Sequence, residues 1–335
     1  MDDRKVVLGL SDGVDSAVAA RVLKDAGYEV FGLYLNISGN DAGLVAKKSA
    51  EAVGIHYASL EIWDALEEHV CKPFAEGYLK GETINPCIGC NRNMKFEALL
   101  RYADEVGAKW IATGHYSRIE NGKIYTGYAD NDQSYMLCRL KKEQVDRLLL
   151  PLGGMKKEEV RAMAREMNLS VAEKPDSREI CFIKKGKYYE WLSERAEVPG
   201  EGKAVLNGTF FSKHEGIHKY TVGQRFGETE AGRRVYVSGI HAEKNELELS
   251  LWDELFKTEI EVRDIVWLVA PESNEITGQI RARHTRWEMP DCMIFIKENG
   301  RAHVVTKTAL RAPAKGQTAA FYDGELLLGG GTIDG

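Results

Sequence analysis

Val6-Val7-Leu8-Gly9-Leu10-Ser11-Asp12-Gly13-Val14-Asp15-Ser16 is the stretch that decides the fold. Val6–Leu10 reads as a buried strand and Asp15–Asp25 as a helix, with only a tight Ser-Asp-Gly turn between them. Such a junction directs unsatisfied backbone N–H groups and the positive end of the helix at one point, usually a phosphate. The turn lacks Gly-x4-Gly-Lys-Ser/Thr, so no loop lysine can reach the β and γ phosphates, and it is not a clean GxGxxG either. The plain alternative is an ordinary βα turn capped by a Ser or Asp side chain.

Outward from this loop, strands and helices alternate over about the first 195 residues, the pattern of a parallel sheet covered on both faces. The patterning predicts strands at Glu29–Leu35, His56–Ile62 and Lys109–Thr113. It predicts helices at Leu44–Val53, Trp63–Tyr78, Asn91–Glu105, Lys141–Leu148, Lys156–Met167 and Tyr188–Arg195. Val198-Pro-Gly-Glu-Gly-Lys203 reads as a linker. Short strands follow at Gly216–Val222, Arg234–His241, Glu246–Leu251, Glu259–Leu268, Ile276–His284, Met293–Ile296, His303–Thr306 and Gln317–Tyr322. The fold class expected is α/β: a doubly wound parallel sheet at 1–197, a small β-rich central domain at 198–254, and a C-terminal β-barrel at 255–335.

Of 335 residues, 44% are hydrophobic and 29% charged, with a net charge of −6. No apolar run approaches the ~18 residues a membrane helix needs. The N-terminus enters a strand without the apolar core of a signal peptide. A cytoplasmic protein is expected, with no membrane partner. The acidic balance argues weakly against nucleic acid, which needs local Lys and Arg. One such cluster exists: Arg281, Arg283, His284 and Arg286 beside Trp287, where strand alternation puts Arg281 and Arg283 on one face. Lys184, Lys185 and Lys187 form a second; for either cluster a solvated surface is an equal reading.

Six cysteines stand at 71, 87, 90, 138, 181 and 292. Cys90, in Asn85-Pro-Cys-Ile-Gly-Cys-Asn91, falls near a helix N-terminus, where the dipole favours the thiolate. Cys181 lies beside Arg178, Lys184 and Lys185, cations able to stabilise a thiolate or persulfide. Cys71 lies on a predicted helix, Cys138 in the apolar Tyr135–Leu140 run and Cys292 in the C-terminal β region, and all three read as structural. One Cys-x2-Cys does not make a structural zinc site, which wants four ligands. Three cysteines with an open position, however, suit a [4Fe–4S] cluster held by Cys87, Cys90 and Cys181.

The phosphate loop resembles the Ser-Gly-Gly-x-Asp-Ser loop of the ATP-pyrophosphatase (PP-loop) superfamily, with Asp12 where glycine is usual. An ordered series of segments resembles the tRNA-specific 2-thiouridylases, the bacterial MnmA family. These are Asn85–Asn91 with Met94-Lys-Phe96, Ala112-Thr-Gly-His-Tyr116, Asp132-Gln-Ser-Tyr135 and Pro151-Leu-Gly153. Downstream come Lys174-Pro-Asp-Ser177 with Ile180-Cys-Phe-Ile183, His218-Lys-Tyr-Thr-Val-Gly-Gln-Arg225, Phe321-Tyr-Asp-Gly324 and Leu328-Gly-Gly-Gly331.

The resemblance implies an ATP-dependent sulfur transfer to C2 of the wobble uridine of tRNA. The uridine oxygen is adenylated, pyrophosphate leaves, and a persulfide on Cys181, partnered by Cys90, delivers sulfur. It implies ATP contacts at Gly9, Leu10, Ser11, Asp12, Gly13, Val14, Asp15, Ser16, Leu35 and Gly114, with Mg²⁺ near Asp15. It implies tRNA contacts at Asn85, Pro86, Cys87, His115, Asn131, Asp132, Gln133, Arg281, Ala282 and Gln317. A sulfur donor, either a cysteine desulfurase or a relay protein, is the further partner. Asn131 replaces a frequent Lys, Ala282 a usual aromatic, and Cys87 the Asp of many members, which favours a three-thiol cluster. Three other readings are an iron–sulfur-dependent thiolation, an ATP-dependent amide-forming synthetase, and a non-catalytic RNA-binding paralogue disabled by Asp12.

Overall fold

The computed structural model describes residues 1–37, 42–128, 130–176, 180–183, 187–284 and 289–335. Ser177, Arg178, Lys184, Lys185, Arg286 and Trp287 lie outside the described residues. The chain forms two compact units, Met1–Val70, Cys87–Arg178 and Glu325–Leu327 making one, and the rest the other.

The first unit is built on a five-stranded sheet. Its elements are β1 (Asp2–Leu10), α1 (Val14–Asp25), β2 (Glu29–Asn36), α2 (Ala42–Val53) and β3 (His56–Glu61). Helical segments follow at α3 (Trp63–Leu66), α4 (Lys72–Leu79, which belongs to the second unit), α5 (Pro86–Cys90) and α6 (Phe96–Glu105). Then come β4 (Ala108–Ala112), the hairpin β5 (Ser117–Glu120) and β6 (Lys123–Thr126), α7 (Lys142–Asp146), β7 (Leu148–Leu149) and α8 (Lys157–Glu166). The sheet order is β3-β2-β1-β4-β7, and every pairing is parallel.

Alternation along β1 explains the two covered faces. Val6, Leu8 and Leu10 join a core with Ala17, Val18, Ala20, Ala46, Ala50, Val160 and Ala164, from α1, α2 and α8. Gly9 points the other way, and a Cβ there would lie 3.5 Å from Leu99 of α6. A strand buried on both sides must read as a continuous apolar run, as Val6–Leu10 does.

The second unit carries α9 (Tyr188–Ser193) and a sheet of β8 (Gly202–Leu206), β9 (Thr209–His214), β10 (Arg225–Glu228), β11 (Arg234–His241) and β12 (Glu246–Ser250), ordered β10-β11-β12-β8-β9. Its core is Ala204, Ile217, Val235, Val237, Leu247 and Leu249. β13 (Phe256–Trp267), β14 (Glu275–Arg281), β15 (Asp291–Lys297), β16 (Arg301–Arg311), β17 (Thr318–Asp323) and β18 (Leu326–Ile333) follow. They run in the order β13-β16-β15-β14-β17-β18, and β13–β18 pairing closes the barrel.

Several local expectations are corrected. Gly216–Val222 is not a strand but a 3₁₀ turn, Ile217–Lys219, because Gly216 has φ 114°. Lys141–Leu148 is not one helix: α7 stops at Asp146, and Leu148 enters the sheet edge beside Ile111. The hairpin β8–β9 was not anticipated, although Asn207-Gly208, with φ of 52° and 73°, is the turn pair such hairpins demand. The helix holding Cys90 begins at Pro86, so Cys87 occupies the first turn's start and Cys90 follows one turn on.

Candidate active site

The sheet order reverses direction between β1 and β4, so their carboxyl-end loops open outward at the crevice where doubly wound sheets bind ligands. The two loops meet closely. A Cβ on Gly114 would lie 3.1 Å from the Asp15 carbonyl carbon and 3.2 Å from Ser16 N.

Within the phosphate loop, Ser11 and Ser16 hydroxyls sit 3.0 Å apart, and Ser16 Oγ accepts from Ser11 N at 3.0 Å. Gly13 N donates to Ser11 Oγ at 3.2 Å. This wraps backbone amides and two hydroxyls around the start of α1, a nest for an anion. Leu10 and Val14 are buried at 4% and 3% exposure, so they can offer a ligand only their backbone. Leu35 follows Tyr34, the register partner of Leu10, and so lies at the same carboxyl edge.

Charges from far along the chain surround this loop. Lys157 Nζ bonds both oxygens of Asp15, at 2.6 and 2.8 Å, and Asp176 at 2.8 Å. Arg161 reaches Asp176 at 3.2 Å. Tyr116 donates its hydroxyl to Asp15 Oδ1 at 2.6 Å. Burial, then the hydrogen bond and charge of Asp15, push the phenol's pKa far up, so it stays protonated as a donor. Lys174 pairs with the Asp12 carboxylate and also bonds the Asp12 carbonyl at 3.0 Å.

Sequence reasoning gave Lys157, Arg161 and Tyr116 no role. One signal was available: a lysine in the first turn of a helix opposes the helix dipole, which implies a nearby acid.

His115 bonds Thr113 Oγ1 through Nδ1 at 2.7 Å and stacks on Phe96 at 6.3 Å. The surrounding protein, and then Lys95, depress its pKa to about 3, so it presents a neutral ring. Asp132 caps a turn, accepting from Gly127 N (2.9 Å) and Ser134 N (3.0 Å); Gln133 Oε1 accepts from Tyr116 N at 3.0 Å. These two side chains thus shape the loop that carries Tyr116. Asn131 N donates to Tyr128 O at 3.0 Å in the same turn.

Cys87 is exposed and Cys90 half-buried, both in the first unit; Asn85 and Pro86 precede them in the second. Although Cys87 touches solvent, desolvation by nearby protein raises its thiol pKa, with Lys95 pulling it down. Residues 91–95 widen into a π-helical turn, a distortion frequent at functional sites. In the second unit, Cys181 is exposed while its neighbour Phe182 is buried against Phe74 and Trp191 at 5.7 and 5.1 Å. Among the described residues no group of three or more His, Cys, Asp or Glu is gathered as a metal would require.

In the barrel, Arg281 lies 5.3 Å over the Tyr322 ring. Arg283, expected on the same solvent face, instead donates to the carbonyls of Val222 (2.9 Å) and Ala312 (2.5 Å). β14 ends at Arg281, so alternation no longer governs position 283. Ala282 is buried at 8% exposure, and the Gln317 carbonyl accepts from Ile333 N at 2.7 Å.

A parallel sheet bearing this serine-lined loop at its switch point defines a PP-loop nucleotide-binding α/β protein. Residues 4–185 match the family model described as tRNA methyl transferase HUP domain, 192–250 its PRC-barrel domain, and 257–333 the aminomethyltransferase beta-barrel domain. The tRNA-specific 2-thiouridylase MnmA of Acetivibrio thermocellus is 38% identical, covering 99% of this chain and 100% of that one. That of Clostridium acetobutylicum is 37% identical, covering 99% of each. The chain belongs to the tRNA-specific 2-thiouridylase family. A 4-thiouridine synthetase–RNA complex with bound ATP is similar over 57% of this chain and 50% of that one, at 20% identity and a TM-score of 0.41.

Proposed function

We propose that this enzyme uses ATP to replace the C2 oxygen of the tRNA wobble uridine with sulfur. One observation carries the reading: a serine-lined anion nest at the sheet switch point occurs in a chain that also exposes Cys181 and partly exposes Cys90. MgATP enters as substrate, its phosphates against Ser11, Ser16 and the loop amides, with Gly9 to Ser16, Leu35 and Gly114 forming the nucleotide site. The uridine oxygen attacks the α phosphorus and pyrophosphate leaves. This turns a poor leaving group into AMP.

A sulfur donor, a desulfurase or relay protein, first loads Cys181 as a persulfide. The terminal sulfur attacks C2. Cys90 thiolate then attacks Cys181 Sγ, and the S–S electron pair stays with the transferred sulfur. AMP departs, leaving thiouridine and a Cys90–Cys181 disulfide that an external dithiol must reduce. Asn85, Pro86, Cys87, His115, Asn131, Asp132, Gln133, Arg281, Ala282 and Gln317 are the proposed tRNA-contacting positions. The target base is splayed out of its loop, as single-stranded RNA readers require. A catalytic domain at 1–197, a central domain at 198–254 and a tRNA-contacting barrel at 255–335 remain the proposed division of labour. Among the described residues no helix is long and apolar enough to cross a membrane.

The pairing of Asp12 with Lys174 offsets the loop's extra negative charge, which favours an active nucleotide site over a disabled RNA binder. An amide-forming synthetase would leave the exposed thiols idle. The test is reconstitution of the purified protein with unmodified tRNA, MgATP, a cysteine desulfurase, cysteine and dithiothreitol. Mass spectrometry of digested nucleosides should show 2-thiouridine, with pyrophosphate released in step. No thiolated nucleoside from a reaction in which the desulfurase loads Cys181 would end the proposal.

A further inference from the structure

We infer that Lys174 supplies the phosphate-facing cation the loop itself lacks, and that Asp12 holds it as an exchangeable counter-ion until nucleotide phosphates displace the carboxylate. The inference rests on the nucleotide-site reading above and adds to it a residue and a charge exchange.

No lysine or arginine lies between Val6 and Ala20, so a polyphosphate held only by Ser11, Ser16 and amides would keep most of its charge uncompensated. Two lysines reach the loop from more than 140 positions away, and they differ. Lys157 is clamped by two carboxylates, Asp15 and Asp176, with its side chain only 13% exposed. Among the described residues, Lys174 bonds one carboxylate, that of Asp12, plus the Asp12 carbonyl. Lys174 and Asp12 side chains are 37% and 36% exposed, so an anion arriving from solvent can reach the ammonium.

A partly exposed ion pair is weak, and a polyphosphate brings several negative charges against the one of Asp12. The ammonium therefore moves to the phosphates. Asp12 is then left unneutralised beside them, which opposes retention of pyrophosphate after the bond to the α phosphorus breaks. Asp12 thus lowers affinity and speeds product release, whereas a loop with glycine at this position would hold pyrophosphate longer.

Isothermal titration of the full-length protein with inorganic pyrophosphate in EDTA tests this. Asp12→Asn should bind tighter, on the order of 2- to 5-fold, the worth of a part-exposed ion pair. Asp12→Gly should move in the same direction. Lys174→Gln should bind more weakly, and its loss should be larger in the Asp12→Asn background, where no pair is forfeited on binding. If the pair merely staples the loop, both Asp12 variants bind pyrophosphate as the wild type does or more weakly, and the inference falls. Thermal melts of each variant show whether it is folded. Wild-type protein that binds neither pyrophosphate nor MgATP overturns the nucleotide reading itself. Wild-type binding of both, with affinity unmoved by Asp12→Asn, overturns only the exchange.

Discussion

Tyr116 and Asp15, 101 positions apart, are joined by a 2.6 Å hydrogen bond in which the phenol donates to Oδ1. The bond ties the loop after β4 to the first turn of α1, across the crevice where the nucleotide is proposed to sit. Removing only the hydroxyl, in Tyr116→Phe, should cost about 1–2 kcal/mol of stability. It should also lower pyrophosphate release severalfold, because among the described residues only Lys157 then orients the Asp15 carboxylate. Urea melts and a coupled pyrophosphate assay check the two effects separately.

Gly114 faces the same helix start without a side chain. Gly114→Ala would place a methyl 3.1–3.2 Å from Asp15 and Ser16 backbone atoms, which cannot give way without moving the loop. A loss of about 1–3 kcal/mol is expected, with ATP affinity falling by more than the melting shift implies. Unchanged ATP affinity would show that the two loops do not jointly shape the site.

The six thiols should separate by alkylation of native protein at pH 8. Cys71 and Cys138 are fully buried, and desolvation, followed by Asp291, pushes the Cys292 thiol up to about 12. Iodoacetamide followed by peptide mass spectrometry should therefore label Cys87, Cys90 and Cys181 and leave the other three untouched.

Among those reactive thiols, Cys181→Ser should abolish 2-thiouridine formation while leaving ATP binding within about twofold of wild type. Cys90→Ser should stop turnover yet still permit a persulfide on Cys181, visible as a +32 Da adduct (about one sulfur) on the intact protein. Cys87→Ser should retain measurable thiolation. Equal and complete loss in all three would instead favour the three-thiol cluster.

His115 gives a pH signature. Its folded pKa of about 3 lies below the unfolded value of about 6.5. Below about 6.5 the unfolded chain takes up a proton that the folded ring refuses. The stability linked to His115 is thus intact above that pH and is lost progressively as pH falls towards about 3. His115→Gln should flatten the decline in urea midpoint between pH 7 and 4.5, and a variant with the wild-type slope would refute the assignment.

Much of the architecture was legible without coordinates, for identifiable reasons. Val6–Leu10 is apolar throughout because both faces are covered, and β12 is legible because Leu247 and Leu249 alternate with Glu246 and Glu248 at the side-chain period of two. Errors arose where backbone geometry outweighed pattern: the 3₁₀ turn after Gly216, the edge strand at Leu148, and the β8–β9 hairpin whose Asn-Gly turn was overlooked.

The serine hydroxyls, the strand-to-helix turn and the reactive cysteines are local features, so the chain's order of residues was enough to find them. Which cations serve the loop was beyond it. Lys157 and Lys174 reach Asp15 and Asp12 across 142 and 162 positions. Ion pairing falls off with distance in space and takes no account of distance along the chain, so only the folded sheet and α8 could bring those charges together.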